Sequence, residues 1–495
     1  MGDKGRLAIA LVVLSVACSA VVLLRATGAP DLCDNAQAKQ AAYAVDLYYN
    51  GNWVLQHDHD GSVQTKPPAY NWLVGLFAVA RGRLDTLALY APCALSFVGL
   101  VLSAALFAQA LYGRADAAVL AGVAVMASSL GVKLAWLART DTMFAFLTWS
   151  CFLAGYGAFR RPRLWVLFWM LAAAATLTKG PLSLLFAFIG LAGAWRCSGS
   201  AVRFGCSFWL GAVLFAGLTL GWLAAAVTVG GAEVVHTLLG RELAQHALFG
   251  VEWRVPFANF YKPPLSFVAR LAPWSILATA GVVHALRRRA LDAPLVALAA
   301  YVYGGVALLM VSPHHRADHL APLIPGVAVL SVLPFVRWRG LAEKRLALRI
   351  ASGSVFVLAV AGGYGYYHWV RPAQVQVQRT AVVRQAAIWL ARSGDRRPAY
   401  AFHATGALDW YAREAGRTVG VAPCRSLPPP ADCQYLVTLR PDLVDPVLGR
   451  EDWRRLPFGS GRRTKGTLVI YERTRNAVAR KRADEDVPQG ANRLR

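Results

Sequence analysis

For three quarters of its length the chain alternates long apolar runs with short polar breaks, and then it loses that pattern. The first run, Leu7 to Leu24, is 18 residues long, enough to cross a bilayer as a helix. Further runs fall at roughly 88–112, 115–137, 141–159, 164–178, 181–195, 207–229, 264–286, 293–312, 318–336 and 350–370. Together they predict about 11 transmembrane helices. Tyr70–Ala80 is too short to cross and predicts a half-helix lying at the interface. Lys4 and Arg6 before the first run resemble a signal peptide, and Ala26-Thr27-Gly28-Ala29 is weakly cleavage-like. The length of the run favours an uncleaved first helix, and either outcome leaves the following loop outside.

Beyond Arg371 the pattern becomes that of a soluble segment. A helical period spans 379–393, and strand-like runs follow at Ala399–Phe402, Gln434–Leu439 and Thr467–Tyr471. The expected class is therefore a polytopic α-helical membrane protein with a small soluble α/β C-terminal domain. Residues 1–371 form the membrane part, with external loops at 28–87 and 231–263. Residues 372–475 form the extracytoplasmic domain, and 476–495 read as a disordered, charged tail.

Composition agrees: 56% of residues are hydrophobic and only 16% charged, against roughly 45–50% and about 25% in soluble domains. The net charge of +25 raises the question of nucleic acid. The arginines, however, sit in short clusters between apolar runs, where anionic lipid headgroups account for them. With a cytoplasmic N-terminus, Arg114, Arg160-Arg161-Pro162-Arg163, the 196–203 segment, Arg287-Arg288-Arg289 and the 337–349 segment all fall inside. The opposite face collects mixed acid and base: the 31–87 loop, Arg139-Thr140-Asp141, Thr178-Lys179-Gly180-Pro181, the 231–263 loop with Arg241, Glu242 and Arg254, and Ser312 to His319. Snorkelling explains any one such charge. Five clusters on one face point to a site, because charge at the edge of hydrocarbon is costly unless paired or used.

The loop from Asp31 to Pro68 is the longest polar interval of the membrane part, and Lys66-Pro67-Pro68 closes it. Asp34 is the candidate catalytic base, with Lys66 and later basic residues holding a lipid phosphate. Asp31 is a competing acid or a helix cap. His57-Asp58-His59-Asp60 has the look of a metal-ligand cluster, although a solvated turn before Gly61 is the simpler account. Eight cysteines show no CxxC spacing and so support no zinc or redox motif. Cys424 and Cys433 could bridge if their segment lies outside the cytoplasm. Neither a phosphate loop nor a nucleotide fingerprint occurs, so an activated group has to arrive by a route other than cytosolic nucleotide.

With these residues placed, residues 7–370 resemble the GT-C superfamily of membrane glycosyltransferases, in particular the branch of protein O-mannosyltransferases and the aminoarabinose transferase of lipid A. The resemblance rests on Cys33-Asp34-Asn35, the helical stretch Gln37–Tyr49, Gly51-Asn52-Trp53, Lys66-Pro67-Pro68 before Tyr70-Asn71-Trp72, Arg139-Thr140-Asp141, Leu177-Thr178-Lys179-Gly180-Pro181, Arg254-Val255-Pro256-Phe257, and Ser312-Pro313 with Arg316 and Leu320-Ala321-Pro322. The chain departs from the pattern where an acidic pair is Asp34-Asn35, where Thr65 replaces an acid before Lys-Pro, and at His315-Arg316-Ala317-Asp318-His319, where only Arg316 is kept.

The resemblance implies a polyprenyl-phosphate sugar donor, inversion at the anomeric carbon, and an extracytoplasmic site on a bacterial inner membrane. It implies membrane lipids as partners, no nucleic acid and an undefined envelope acceptor, and it leaves a divalent metal ion open as cofactor. Asp34 and Asp141 are then the candidate catalytic acids. Lys66, Arg139, Lys179, Arg254 and Arg316 are candidates for the phosphate, and Tyr70, Glu242 and His315 for the substrate lining. A transporter or flippase for lipid-linked sugars is the alternative. It would place polar residues at mid-membrane and show repeated halves, and neither is visible in the sequence.

Overall fold

A computed structural model describes residues 3–27, 32, 35–198, 204–243, 260–312, 316–337, 354, 358, 360–371, 374–393, 396–404, 407–449, 452–458 and 468–474. The chain divides into two compact units. The first comprises residues 1–29, 52–55 and 63–370; the second comprises 30–51, 56–62 and 371–495. The first external loop is thus divided: residues 30–51 and 56–62 group with the C-terminal segment and the rest with the apolar helices.

The first unit is helical. Its leading elements are α1 (Asp3–Thr27), α3 (Ala69–Arg81), α4 (Thr86–Tyr112), α5 (Ala115–Ala127), α6 (Ser129–Trp136), α7 (Thr140–Ala158), α8 (Leu164–Lys179), α9 (Leu182–Ser198) and α10 (Cys206–Val234), while α2 (Asn35–Asn50) belongs to the second unit. Among the described residues five helices are long and apolar enough to cross a membrane, or up to seven if two bent pairs each count as one span. That is fewer than the eleven expected from apolar runs. The 115–137 run breaks by 69° between α5 and α6, and the 264–286 run breaks by 107° between Lys262–Leu271 and Trp274–Arg287. Proline at 273 denies the second run a continuous hydrogen-bond ladder. At 1.5 Å per residue the 16 residues of α8 reach about 24 Å, short of a hydrocarbon core of about 30 Å. Of the 350–370 run, positions 354, 358 and 360–370 are described, and they include the π-helical turns Val360–Tyr364 and Tyr366–Val370. The Tyr70–Ala80 half-helix is present as α3, with Tyr70, Asn71, Val74 and Ala78 buried and Leu76 and Val79 outward.

A large core runs through this unit, with a smaller cluster at Leu55, Val63, Ala226, Val234 and Leu238. Leu14, Cys18 and Val21 of α1 join the large core, as do Trp149 and Phe152 of α7. Phe152 stacks on Tyr301 with 4.6 Å between ring centroids, and the Tyr301 hydroxyl donates to the Pro322 carbonyl at 2.8 Å. A buried hydroxyl needs such a partner.

The second unit holds α2, a helix Val375–Ser393 and a five-stranded sheet in the order β2-β1-β3-β5-β4. β1 (Ala399–Phe402) pairs in parallel with β2 (Val421–Pro423) and β3 (Tyr435–Thr438), whereas β5 (Leu468–Arg473) runs antiparallel to β3 and to β4 (Trp453–Phe458). The strand-like runs at 399, 434 and 467 correspond to β1, β3 and β5, while β2 and β4 go unsignalled in the sequence. Both are edge strands that contain proline, and only an edge tolerates the missing donor. Cys424 and Cys433 share the small core of this unit and are free thiols. Each donates to a nearby carbonyl, of Ser426 and Tyr435 respectively, rather than bridging.

Candidate active site

The site-forming end of the first unit begins with a broken helix. Ser128 closes α5 and opens α6: its hydroxyl donates to the Val125 carbonyl at 3.1 Å and accepts from the Gly131 amide at 3.0 Å. A side chain at Gly131 would place its Cβ 2.0 Å from the Val125 carbonyl oxygen, so the break admits only glycine there. α6 ends at Trp136, whose carbonyl accepts from Arg25 Nε at 2.7 Å. The buried Arg25 guanidinium also lies over the Tyr90 ring at 5.2 Å and the Trp136 ring at 5.5 Å. A cation suits the carbonyl end of a helix, and two aromatic faces ease its burial.

The chain then turns through Arg139, which is extended and precedes α7. The buried Cys93 thiol of α4 grips this residue from behind: its sulfur accepts from the Arg139 amide at 3.2 Å and donates to the Arg139 carbonyl at 3.0 Å. Behind Cys93 stands Tyr70. Tyr70 is completely buried, donates to the Leu89 carbonyl at 2.7 Å and lies 3.5 Å from the Cys93 sulfur. Tyr70 therefore lines no open surface, contrary to the expectation from sequence. It is a buttress, because its hydroxyl found partners inside the fold.

α7 and α8 form a helical hairpin, so the N-terminus of one lies beside the C-terminus of the other. Asp141 stands in the first turn of α7 and Lys179 in the last turn of α8, the placements that helix dipoles favour. Gly180 ends α8 with φ 106°, a conformation that side chains avoid. Lys179 Nζ meets Asp141 Oδ1 at 2.5 Å. Arg139 Nε lies 2.9 Å from Asp141 Oδ2, an ion pair whose angle falls short of a directed hydrogen bond. Arg139 Nη1 reaches Asp318 Oδ2 at 3.2 Å, and Lys133 Nζ meets Asp318 Oδ1 at 2.5 Å. Lys179, Asp141, Arg139, Asp318 and Lys133 thus alternate in sign through four segments, with three cations against two carboxylates.

Of the residues singled out from sequence, Arg139, Asp141 and Lys179 meet directly. Lys66 is half-buried in the same unit, four residues before Tyr70. Arg316 is exposed and precedes a 3-10 turn, Ala317–Leu323, that carries Asp318. Asp31, Asp34, Arg254 and His315, and the side chain of Glu242, lie outside the described residues. Lys133, Asp318, Cys93 and Arg25 were not singled out as site residues. Lys133 could have been found, since it is a lone charge between apolar residues of a span.

The His57-Asp58-His59-Asp60 stretch belongs to the second unit and lies against α2. His57 donates its amide to Asp46 Oδ2 and sets Nδ1 3.1 Å from it, while Asp58 is held by His59 Nδ1 at 2.7 Å and Lys39 at 3.3 Å. Among the described residues no three His, Cys, Asp or Glu side chains converge as a metal would require. Burial works to raise the Asp58 carboxyl, but His59 and Lys39 outweigh it and hold the group below its usual 3.8. The hydrogen bond that His59 donates to Asp58 raises His59 above 6.5 against the opposing effect of burial. The Asp58 contribution to stability is present above pH 3.8 and is lost as pH falls through its lowered value. The His59 contribution is full below pH 6.5 and is lost as pH rises through its raised value. The amide-exchange protection factors of residues 56–62, corrected for the intrinsic pH dependence of exchange, are therefore expected to be highest between those limits and to fall on both sides. His59→Gln should abolish the alkaline change and, by removing the main partner that lowers Asp58, shrink the acid one.

No family model and no curated protein matches the sequence. The fold does match those of solved structures, and the apolar helices are those of a multi-pass membrane protein. The structure is similar to that of ArnT from Cupriavidus metallidurans bound to undecaprenyl phosphate, with a TM-score of 0.67 at 16% identity over 95% of this chain and 98% of that one. The apo form of the same ArnT gives 0.62 at 16% identity over 93% and 97%. The Archaeoglobus fulgidus oligosaccharyltransferase, solved with zinc and sulfate, gives 0.51 at 13% identity over 86% of this chain and 67% of that one.

Proposed function

We propose that the protein transfers a sugar from a polyprenyl-phosphate donor to an envelope acceptor at the extracytoplasmic membrane face, with inversion at the anomeric carbon. The observation that carries this reading is the cation-rich network at Arg139, Asp141 and Lys179, in a fold shared with a protein solved with undecaprenyl phosphate. In the reaction the acceptor oxygen attacks the anomeric carbon while the bond to phosphate breaks. The acceptor proton passes to a carboxylate, Asp34, and the polyprenyl phosphate leaves as an anion. Negative charge grows on that phosphate, so fixed cations aimed at it lower the barrier. Lys66, Arg139, Lys179, Arg254 and Arg316 supply them, arginine as a forked donor and lysine as a compact charge. Tyr70 is withdrawn from the substrate lining because it is buried; Glu242 and His315 remain candidates.

The residues bear on a metal as well. Thr65 offers no carboxylate before Lys66, and the described residues bring no three ligands together. No step is therefore assigned to a metal ion.

Purified protein incubated with labelled polyprenyl-phosphate sugar and envelope extract should move label into an acceptor and release polyprenyl phosphate. Transport of intact donor across the bilayer with no release of phosphate would establish the flippase reading instead. Lys66→Met is expected to lower transfer by about 10²–10³-fold, the usual cost of removing a group aimed at developing charge. Its apparent melting temperature should stay unchanged.

A further inference from the structure

We propose that Asp318 is a positioning residue for recognition of the lipid phosphate, acting through Arg139; this rests on the glycosyl-transfer reading above. Asp318 stands where the chain departs from the family pattern, so no carried-over role covers it. Arg139 is held at three places. Cys93 fixes its backbone amide and carbonyl. Asp141 approaches Nε at 2.9 Å, and Asp318 approaches Nη1 at 3.2 Å. A guanidinium is planar, and two carboxylates at two of its nitrogens fix that plane and hence the direction of its other N–H donors. The Asp318 side chain is 14% exposed and that of Arg139 12%, so solvent does little to screen their attraction. Lys133 takes the second oxygen of Asp318 and leaves the carboxylate little freedom to rotate away.

This role makes a prediction opposite in sign to simple electrostatics. Replacing Asp318 by Asn adds one positive charge to a cluster that already has an excess of one. If net charge governed phosphate affinity, Asp318→Asn would bind undecaprenyl phosphate more tightly. If Asp318 aims Arg139, the variant binds more weakly despite the added charge, because a displaced donor forfeits its contact.

The test uses purified full-length protein in nanodiscs, titrated with undecaprenyl phosphate, alongside sugar transfer. Wild-type protein that neither binds nor transfers would overturn the functional reading itself. With an active wild type, Asp318→Asn is expected to weaken binding at least tenfold and transfer about 10²-fold, the scale of a misplaced binding group. Asp318→Glu should restore most of both. The charge-conserving pair Lys133→Met with Asp318→Asn keeps the cluster's net charge and guards against simple unfolding. It should still bind weakly. Arg139→Gln combined with Asp318→Asn should be no worse than Arg139→Gln alone. Wild-type or tighter binding by Asp318→Asn, or wild-type binding by the charge-conserving pair, overturns the proposal. So does full additivity between positions 139 and 318.

Discussion

Asp34→Asn is expected to lower sugar transfer by about 10³-fold or more while leaving polyprenyl-phosphate binding within a few-fold of wild type. A positioned general base is worth about 10²–10⁴ in rate, and asparagine keeps the shape of the side chain while losing the ability to take a proton. Labelled transfer in membranes measures the first quantity and direct titration with undecaprenyl phosphate the second. Wild-type transfer by this variant would remove Asp34 from the chemistry and make Asp141 the next candidate. A Asp34→Glu variant should retain part of the rate, since the carboxylate survives at a different reach.

Asp141→Asn should fail differently. The Asp141 side chain is 5% exposed and lies against two cations, Lys179 at 2.5 Å and Arg139 at 2.9 Å. Removing the carboxylate leaves both cations facing each other with poor access to water. Breaking a buried pair in this way costs about 3–5 kcal/mol. The apparent melting temperature in detergent should fall by several degrees, and phosphate binding should fall with it. A variant that melts like wild type yet has lost transfer would move Asp141 from the framework into the chemistry. The two aspartates are thereby separated by experiment: one loses rate with stability intact, the other loses both.

The apolar runs made the helical class legible, because hydrocarbon-facing helices need long uncharged stretches whatever their packing. Arg139, Asp141 and Lys179 were legible too, since each sits at a polar break next to a helix end. Their meeting follows from the hairpin of α7 and α8. Asp318 and Lys133 were less accessible: they pair across 185 positions of sequence, and no local pattern encodes so distant a partner. The bend at Ser128 was not legible, because it breaks a run without any proline to announce it. Helix α2 is buried in a way that no sequence pattern signalled. It carries Gln37, Gln40 and Asp46, a composition that suggests a wet surface, yet all three are buried. Asp46 accepts from Asn50 and from His57, and such pairing makes burial tolerable. Asp34 and the 244–259 segment lie outside the described residues, so their places in the site rest on the chemistry alone.

Each carboxylate of the five-membered network serves two cations that come from different stretches of chain. Neither acid can therefore trade places with one of its partners, because a swap that satisfies one neighbour sets like charges against the other. Lineages drifting from this sequence would have to change several distant codons together or leave all five alone. A cluster built in this way resists piecemeal substitution even at Lys133, which no motif marks.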